Sequence, residues 1–141
     1  MPVVFHQLVT VTLKNKKPLK TFIKELFIKE GKCLQLMNVI FCSDQYLLNI
    51  NKQHLKHNFY TDIVTFDLSE SNSSSIIAEL YISIDRVRDN AKTLKTDFST
   101  ELHRVIFHGV LHLCGYKDKK TVDINIMRQK EDETLNQYFT N

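Results

Sequence analysis

The sequence has few residues that interrupt secondary structure or cross-link a chain: three glycines, two prolines and three cysteines. It also has no tryptophan. So few glycines cannot supply a glycine-rich phosphate loop, which excludes a nucleotide cofactor bound by such a loop. The cysteines are odd in number and widely spaced, at Cys33, Cys42 and Cys114. This spacing argues against a disulfide framework and for reduced thiols.

Long hydrophobic runs are also missing. No apolar stretch approaches the ~20 residues that a membrane-spanning helix needs. The first residues, MPVVFHQLVT, lack the basic flank and the long apolar core of a signal peptide. We therefore expect no membrane association and a cytoplasmic location.

Charge is distributed unevenly along the chain, although the net charge is only +3. The first 60 residues carry nine lysines and three acidic residues, whereas acidic residues predominate in the remainder. Five of these lysines form a cluster: Lys14, Lys16, Lys17, Lys20 and Lys24. The cluster is compatible with phosphate contacts and hence with a nucleic-acid partner. An ordinary solvated helix face would have the same composition.

Hydrophobic periodicity predicts strands separated and followed by helices. The strands are expected at 3–13, 34–42, 62–68 and 76–84, and the helices begin near Pro18, Asp44, Asp85, Ser99 and Thr121. A serine-rich loop joins the third and fourth strands, which should therefore pair antiparallel. These elements predict a single-domain α+β sandwich over residues 1–141, with a roughly four-stranded mixed sheet packed on about five helices.

The segment HGVLHLCGYKD, residues 108–118, has the residue types and spacing of a metal site. On a helix, His108 and His112 lie one above the other and can offer imidazole nitrogens to one cation at about 2.0–2.1 Å. Gly115 can adopt a left-handed conformation that ends the helix, which lets Asp118 supply a third ligand. Two histidines and a carboxylate leave a position for water, as in catalytic zinc sites. The alternative is a buried helix end that contains histidines by accident.

The residue after the first histidine is Gly109, where H-E-x-x-H peptidases carry their glutamate base. The segment is therefore suited to metal binding but lacks the base for peptide hydrolysis. We also expect the missing side chain to leave space beside the cation for a bulky phosphodiester. A metal ion alone can activate water and polarise a phosphoryl oxygen.

The segment resembles the signature of the YbeY family of bacterial rRNA-maturation endoribonucleases, H-G-x-L-H-L-x-G-Y followed by a third ligand. The stretch YTDIVTFDL at 60–68 is similar to the family's P-T-D-V-L-S-F strand, and ELYISIDRVRDNA at 79–91 to its G-D-I-x-I-S strand and following helix. This resemblance covers most of the chain. It implies a zincin-like metal helix and one divalent cation, expected to be Zn²⁺. It also implies a single-strand-specific endoribonuclease that acts on rRNA in 16S 3′-end maturation and ribosome quality control, with the ribosome or its proteins as partners.

The sequence departs from the family pattern at two positions. The third ligand of the family is usually histidine, but here the position holds Asp118. A carboxylate still binds zinc, although as a harder ligand it makes Mn or Fe more competitive. Members often carry an arginine before the T-D pair, and the corresponding residue here is Leu55. Lys56 and His57 are the nearest substitutes and could contact RNA phosphate, or they could be ordinary residues of a surface loop.

Two other functions remain compatible with the metal pattern. One is a small zinc metallopeptidase, which the absence of a glutamate at Gly109 disfavours. The other is a non-catalytic, ribosome-associated RNA-binding module that keeps its metal for stability. Cleavage assays with altered ligands distinguish both from a nuclease.

Overall fold

A computed structural model describes residues 2–54 and 60–140 of the chain. The strands are β1 (Val3–Gln7), β2 (Cys33–Cys42), β3 (Ile63–Asp67) and β4 (Ser75–Ser83). The helices are α1 (Lys16–Lys29), α2 (Asp44–His54), α3 (Ile84–Leu94), α4 (Phe98–Leu113) and α5 (Thr121–Thr140). The predicted α+β fold, with four strands and five helices in the described residues, is confirmed.

The four strands form one sheet in the order β1-β2-β4-β3. The pairs β1–β2 and β2–β4 are parallel, whereas β3 runs antiparallel to β4. The sheet is therefore mixed, as predicted. The antiparallel pairing across the serine-rich loop is also confirmed.

The first strand is shorter than the predicted range 3–13. β1 ends at Gln7, which pairs with Phe41 of β2. Because β2 ends at Cys42 and α2 then begins, there is no further ladder for the chain to join. Val11 and Leu13 are nevertheless buried in the main core. Their alternating pattern thus reflects packing without strand hydrogen bonds.

Helix α4 lies at the centre of the fold and contacts α1, α3, α5, β3 and β4. Its apolar residues surround the helix almost completely, and Ile106, Phe107 and Val110 are all fully buried. The helix begins one residue before the predicted Ser99, because Asp97 caps it by accepting a hydrogen bond from the Thr100 amide at 2.7 Å. Neighbours on several sides make α4 a rigid support for the side chains that it carries.

The two faces of the sheet are covered differently. The main core lies between one face and helices α1 and α4, whereas α2 covers part of the other face through a small cluster of Cys42, Leu47 and Val64.

None of the helices in the described residues combines the length and apolarity of a transmembrane segment.

Candidate metal centre

Two histidines one turn apart project from the C-terminal half of α4. The ring centroids of His108 and His112 are 4.5 Å apart, and the rings meet nearly edge to face. Their side chains are 21% and 28% exposed, so solvent reaches both rings. The i,i+4 spacing thus places both imidazoles on one accessible stripe of an otherwise buried helix.

The turn after α4 brings a carboxylate to the same place. Gly115 has φ of +107°, and its amide and that of Tyr116 donate to carbonyls in the last turn of the helix, at 3.0 Å each. The chain reverses there, and Asp118 Oδ2 lies 3.1 Å from His112 Nε2 and 3.3 Å from His108 Nε2. The three side chains predicted as ligands therefore lie together.

This set of atoms fits one cation. The three ligand atoms all lie within 4.8 Å of one another. Atoms bound at about 2.0–2.1 Å to a tetrahedral ion are about 3.3 Å apart, close to the two distances from Asp118 Oδ2. Two imidazole nitrogens, one carboxylate oxygen and partial exposure leave room for a further ligand from solvent or substrate.

His108 has a second carboxylate behind it. Its Nδ1 lies 2.6 Å from Oε2 of Glu131, a residue of α5 that is 5% exposed. Burial alone would lower the pKa of His108, but the hydrogen bond to Glu131 and the charges of Glu131, Asp62 and Asp118 outweigh it and raise the pKa above its ordinary value. A cation that binds His108 must therefore displace a proton that is held more strongly than on an ordinary histidine.

A cleft of about 440 Å³ opens beside these residues, between α3, α4 and α5. His108 and Asp118 line it, together with Asp62 and Glu101. Burial raises the pKa of both Asp62 and Glu101. The positive charge of His108 lowers the pKa of Asp62 and that of Arg104 lowers the pKa of Glu101, but burial has the larger effect. Raised pKa values in a cleft beside a candidate metal site are typical of groups that hold and release protons.

Two arginines of the cleft differ in availability. Arg104 is 18% exposed and is tied to Glu131 at 3.0 Å and to Asp132 at 2.7 Å. Arg128 is 53% exposed, and its guanidinium reaches Glu131 only at 3.5 Å. Of these two arginines, Arg128 can therefore bind an incoming anion with the smaller loss of its existing ion pairs.

The lysine cluster on and before α1 lies elsewhere. Lys14, Lys16, Lys17 and Lys24 are exposed, and none of the cluster is among the residues that line the metal cleft in the described part of the chain. Lys20 lies over the ring of Phe5 at 5.8 Å. The cluster thus forms a face of the protein separate from the metal centre.

The expectation that Gly109 leaves space beside the cation is wrong. A Cβ at this position would point into the core, 2.8 Å from Ile63 Cδ1 and 3.0 Å from both δ-methyl groups of Leu80. The glycine lets α4 approach β3 and β4 closely. Its role is in packing, because a helix so close to the sheet leaves no room for a side chain.

Lys56 and His57, named as possible phosphate contacts, lie outside the described residues, as does Leu55. The structure instead adds residues that the sequence did not single out: Glu131 and Arg104. Glu131 stands in the acidic run EDE, and nothing in the sequence marks it as the acid that turns inward. The buried residues of α5 also include Met127, Thr134 and Leu135. Because this set mixes polar and apolar residues, hydrophobic periodicity does not reveal which face of α5 is buried.

Known proteins resemble this chain along most of its length. The sequence profile described as Endoribonuclease YbeY matches residues 6–139. An endoribonuclease YbeY of Cytophaga hutchinsonii is 46% identical over 123 residues, which cover 87% of this chain and 85% of that protein. One from Karelsulcia muelleri is 50% identical over 104 residues, covering 74% of this chain and 72% of that protein.

The fold has a relative among solved structures. A solution structure of a Thermotoga maritima protein matches with a TM-score of 0.63 and 26% sequence identity. The match covers 97% of this chain and 90% of that one. The match to this profile and the identity with these relatives show that the chain belongs to the endoribonuclease YbeY family.

Proposed function

We propose that this chain is a metal-dependent, single-strand-specific endoribonuclease that acts on rRNA in 16S 3′-end maturation and ribosome quality control. Family membership supports the reaction and the substrate class. The observation that carries the proposal is the convergence of His108, His112 and Asp118 at the mouth of a polar cleft. Such a substrate also implies contact with the ribosome or its proteins and a cytoplasmic location.

Zinc is the cation that we propose for the site. Two histidines, one carboxylate and an open position form a donor set of catalytic zinc centres. Asp118, in place of a third histidine, makes the set harder and so more tolerant of manganese or iron. When bound, a divalent cation supplies Lewis acidity toward water and toward a phosphoryl oxygen.

The protein's own groups supply binding and proton transfer. Arg128, the more exposed arginine of the cleft, can bind a phosphate oxygen of the RNA next to the scissile bond. Asp62 is a half-buried residue of the same cleft, burial raises its pKa, and Asn90 Nδ2 donates to its Oδ2 at 3.4 Å. Its carboxyl group therefore keeps a proton to higher pH than an ordinary aspartate does, and can exchange it with a reacting oxygen.

The peptidase alternative is disfavoured by the packing of α4. In H-E-x-x-H enzymes the residue after the first histidine is the general base. That position here is Gly109, and a side chain there would collide with Ile63 and Leu80. A side chain on this residue is therefore not available to activate water for peptide hydrolysis.

The test combines metal analysis with RNA cleavage. Protein purified without chelator should contain about one equivalent of zinc, as expected for a single catalytic site. His112→Ala and Asp118→Ala should lose both the metal and cleavage of single-stranded RNA. His6→Ala is the matched control, because His6 is an exposed histidine whose Nε2 contacts Asn38 instead of the metal site.

Two results would contradict the proposal. Folded His112→Ala and Asp118→Ala variants that retain full cleavage would show that the site is not catalytic. A parent protein that binds zinc and RNA but cuts neither RNA nor casein would support the non-catalytic binding module, whereas cleavage of casein alone would support the peptidase.

A further inference from the structure

The ring of His108 is held from both sides, unlike that of His112. Nδ1 of His108 lies 2.6 Å from Glu131 Oε2, while Nε2 faces Asp118 Oδ2 at 3.3 Å, on the side where a cation would bind. Within residues 2–54 and 60–140, no group is hydrogen-bonded to Nδ1 of His112. In the described part of the chain, both imidazoles approach Asp118 through Nε2, but only that of His108 also has a carboxylate at Nδ1.

Glu131 is fixed in turn by an arginine. Arg104, one helical turn before His108 on α4, donates from Nη1 to Glu131 Oε1 at 3.0 Å and from Nη2 to Asp132 Oδ1 at 2.7 Å. The side chains of Glu131 and Arg104 are 6% and 18% exposed. Each oxygen of Glu131 has its own partner, so the carboxylate cannot rotate without losing a charge-assisted hydrogen bond.

We propose that Glu131, held by Arg104, is the positioning residue that keeps His108 in the tautomer with its proton on Nδ1 and a free lone pair on Nε2. A carboxylate only accepts hydrogen bonds, so its short contact with Nδ1 needs the proton there. Nε2 is then free to bind a cation, and the carboxylate behind the ring increases its strength as a ligand. This inference rests on the proposed metal site but not on the proposed RNA substrate.

The substitution Glu131→Gln tests the proposal without changing the size of the side chain. Arg104 offers only donors, so the amide oxygen should face Arg104 and the NH₂ group should face Nδ1 of His108. The NH₂ group donates to Nδ1 and so stabilises the opposite tautomer, in which Nε2 carries the proton. A protonated Nε2 has no free lone pair with which to bind the cation. Zinc affinity, measured by competition with a chromophoric chelator, should fall about 10–100-fold.

A second substitution separates positioning from simple loss of structure. In Glu131→Gln with Arg104→Met, the amide oxygen loses its 3.0 Å donor and keeps the longer 3.5 Å contact with Arg128. The amide can then turn its oxygen toward Nδ1, so zinc affinity should recover in part relative to Glu131→Gln alone. A merely structural role predicts a further loss instead. Glu133→Gln is the matched control, because Glu133 is a 51% exposed acid of the same helix whose one ion pair within residues 2–54 and 60–140 is with Lys130 at 3.7 Å.

Nitrogen-15 NMR of the imidazoles provides a readout that does not depend on metal affinity. In the metal-free parent at a pH where His108 is neutral, we expect the proton on Nδ1, and in Glu131→Gln on Nε2. A parent with the proton on Nε2 would overturn the proposal, as would a Glu131→Gln variant with parental zinc affinity while His108→Ala loses the metal. A parent that binds no divalent cation would overturn the metal site itself and this inference with it.

Discussion

The close approach of α4 to the sheet at Gly109 leads to a prediction about both stability and the metal centre. Gly109→Ala places a methyl group 2.8 Å from Ile63 Cδ1 and 3.0 Å from both δ-methyl groups of Leu80. Carbon atoms in good contact are about 3.5–4.0 Å apart. Leu80 is fully buried and cannot relieve the contact by turning one methyl group, because both are involved.

Two opposing free-energy changes determine the outcome. Alanine in a helix interior is favoured over glycine by about 1 kcal/mol. Overpacking of a close-packed core costs about 1–3 kcal/mol. The expected net effect is a loss of about 0–2 kcal/mol in the free energy of unfolding, since the crowding cost exceeds the gain in helix propensity. Zinc affinity should change much less than stability, because the turn that carries Asp118 is hydrogen-bonded to the end of α4 and moves with His108 and His112.

Urea unfolding of the parent, Gly109→Ala, Ile63→Val and the double variant measures the crowding directly. Ile63→Val removes the Cδ1 atom that is nearest to the new methyl group. Gly109→Ala should therefore be less costly in the valine background, with a coupling energy of about 0.5–1 kcal/mol. A Gly109→Ala protein that is about 1 kcal/mol more stable than the parent, as expected for an uncrowded helix position, would refute the reasoning.

Two further predictions concern pH and RNA. Burial lowers the pKa of His103, although its hydrogen bond to Ser99 and the charge of Asp97 act in the opposite direction. Because the unfolded chain binds more protons at this residue than the folded chain, His103 contributes fully to stability above the ordinary histidine pKa of about 6.5. That contribution is lost as the pH falls below this value. Urea unfolding between about pH 8 and pH 5 should therefore show a steeper acid loss in the parent than in His103→Gln, and equal slopes would count against this. Arg128→Gln should weaken single-stranded RNA binding and reduce its salt dependence, log Kd against log salt, by about 0.7 for one phosphate contact. Zinc affinity should not change, and an equal effect of Arg88→Gln, which removes a guanidinium lying over Phe98, would show a general charge effect instead.

Most of the fold could be predicted because local periodicity and tertiary packing agree. The apolar circumference of α4 required a central position, and the helix contacts five other elements. The boundaries were less predictable. The alternation continued to Leu13, but β1 ended at Gln7 because its partner β2 had ended. Strand length depends on the neighbouring strand, which periodicity in one segment does not reveal.

The candidate site likewise has one part that the local sequence predicts and another part that depends on tertiary packing. His108, His112 and Asp118 lie in one segment of eleven residues, and a helical turn followed by a glycine stop is enough to bring them together. Glu131 lies 23 residues after His108 on another helix. Its contact with His108 depends on the packing of α5 against α4. The packing role of Gly109 likewise depends on β3 and β4, which are distant in sequence.

Three features follow from residues within a few turns of one another and could be read from the chain alone: the pair of histidines on one stripe of α4, the reversal after it and the α+β order of elements. The packing of the elements is needed to know which carboxylate contacts Nδ1 of His108, which arginine of the cleft is the more exposed, and that Gly109 faces the sheet. Those outcomes depend on the distance between elements that are far apart along the chain. That distance is set by how the side chains of all the elements fill the core together.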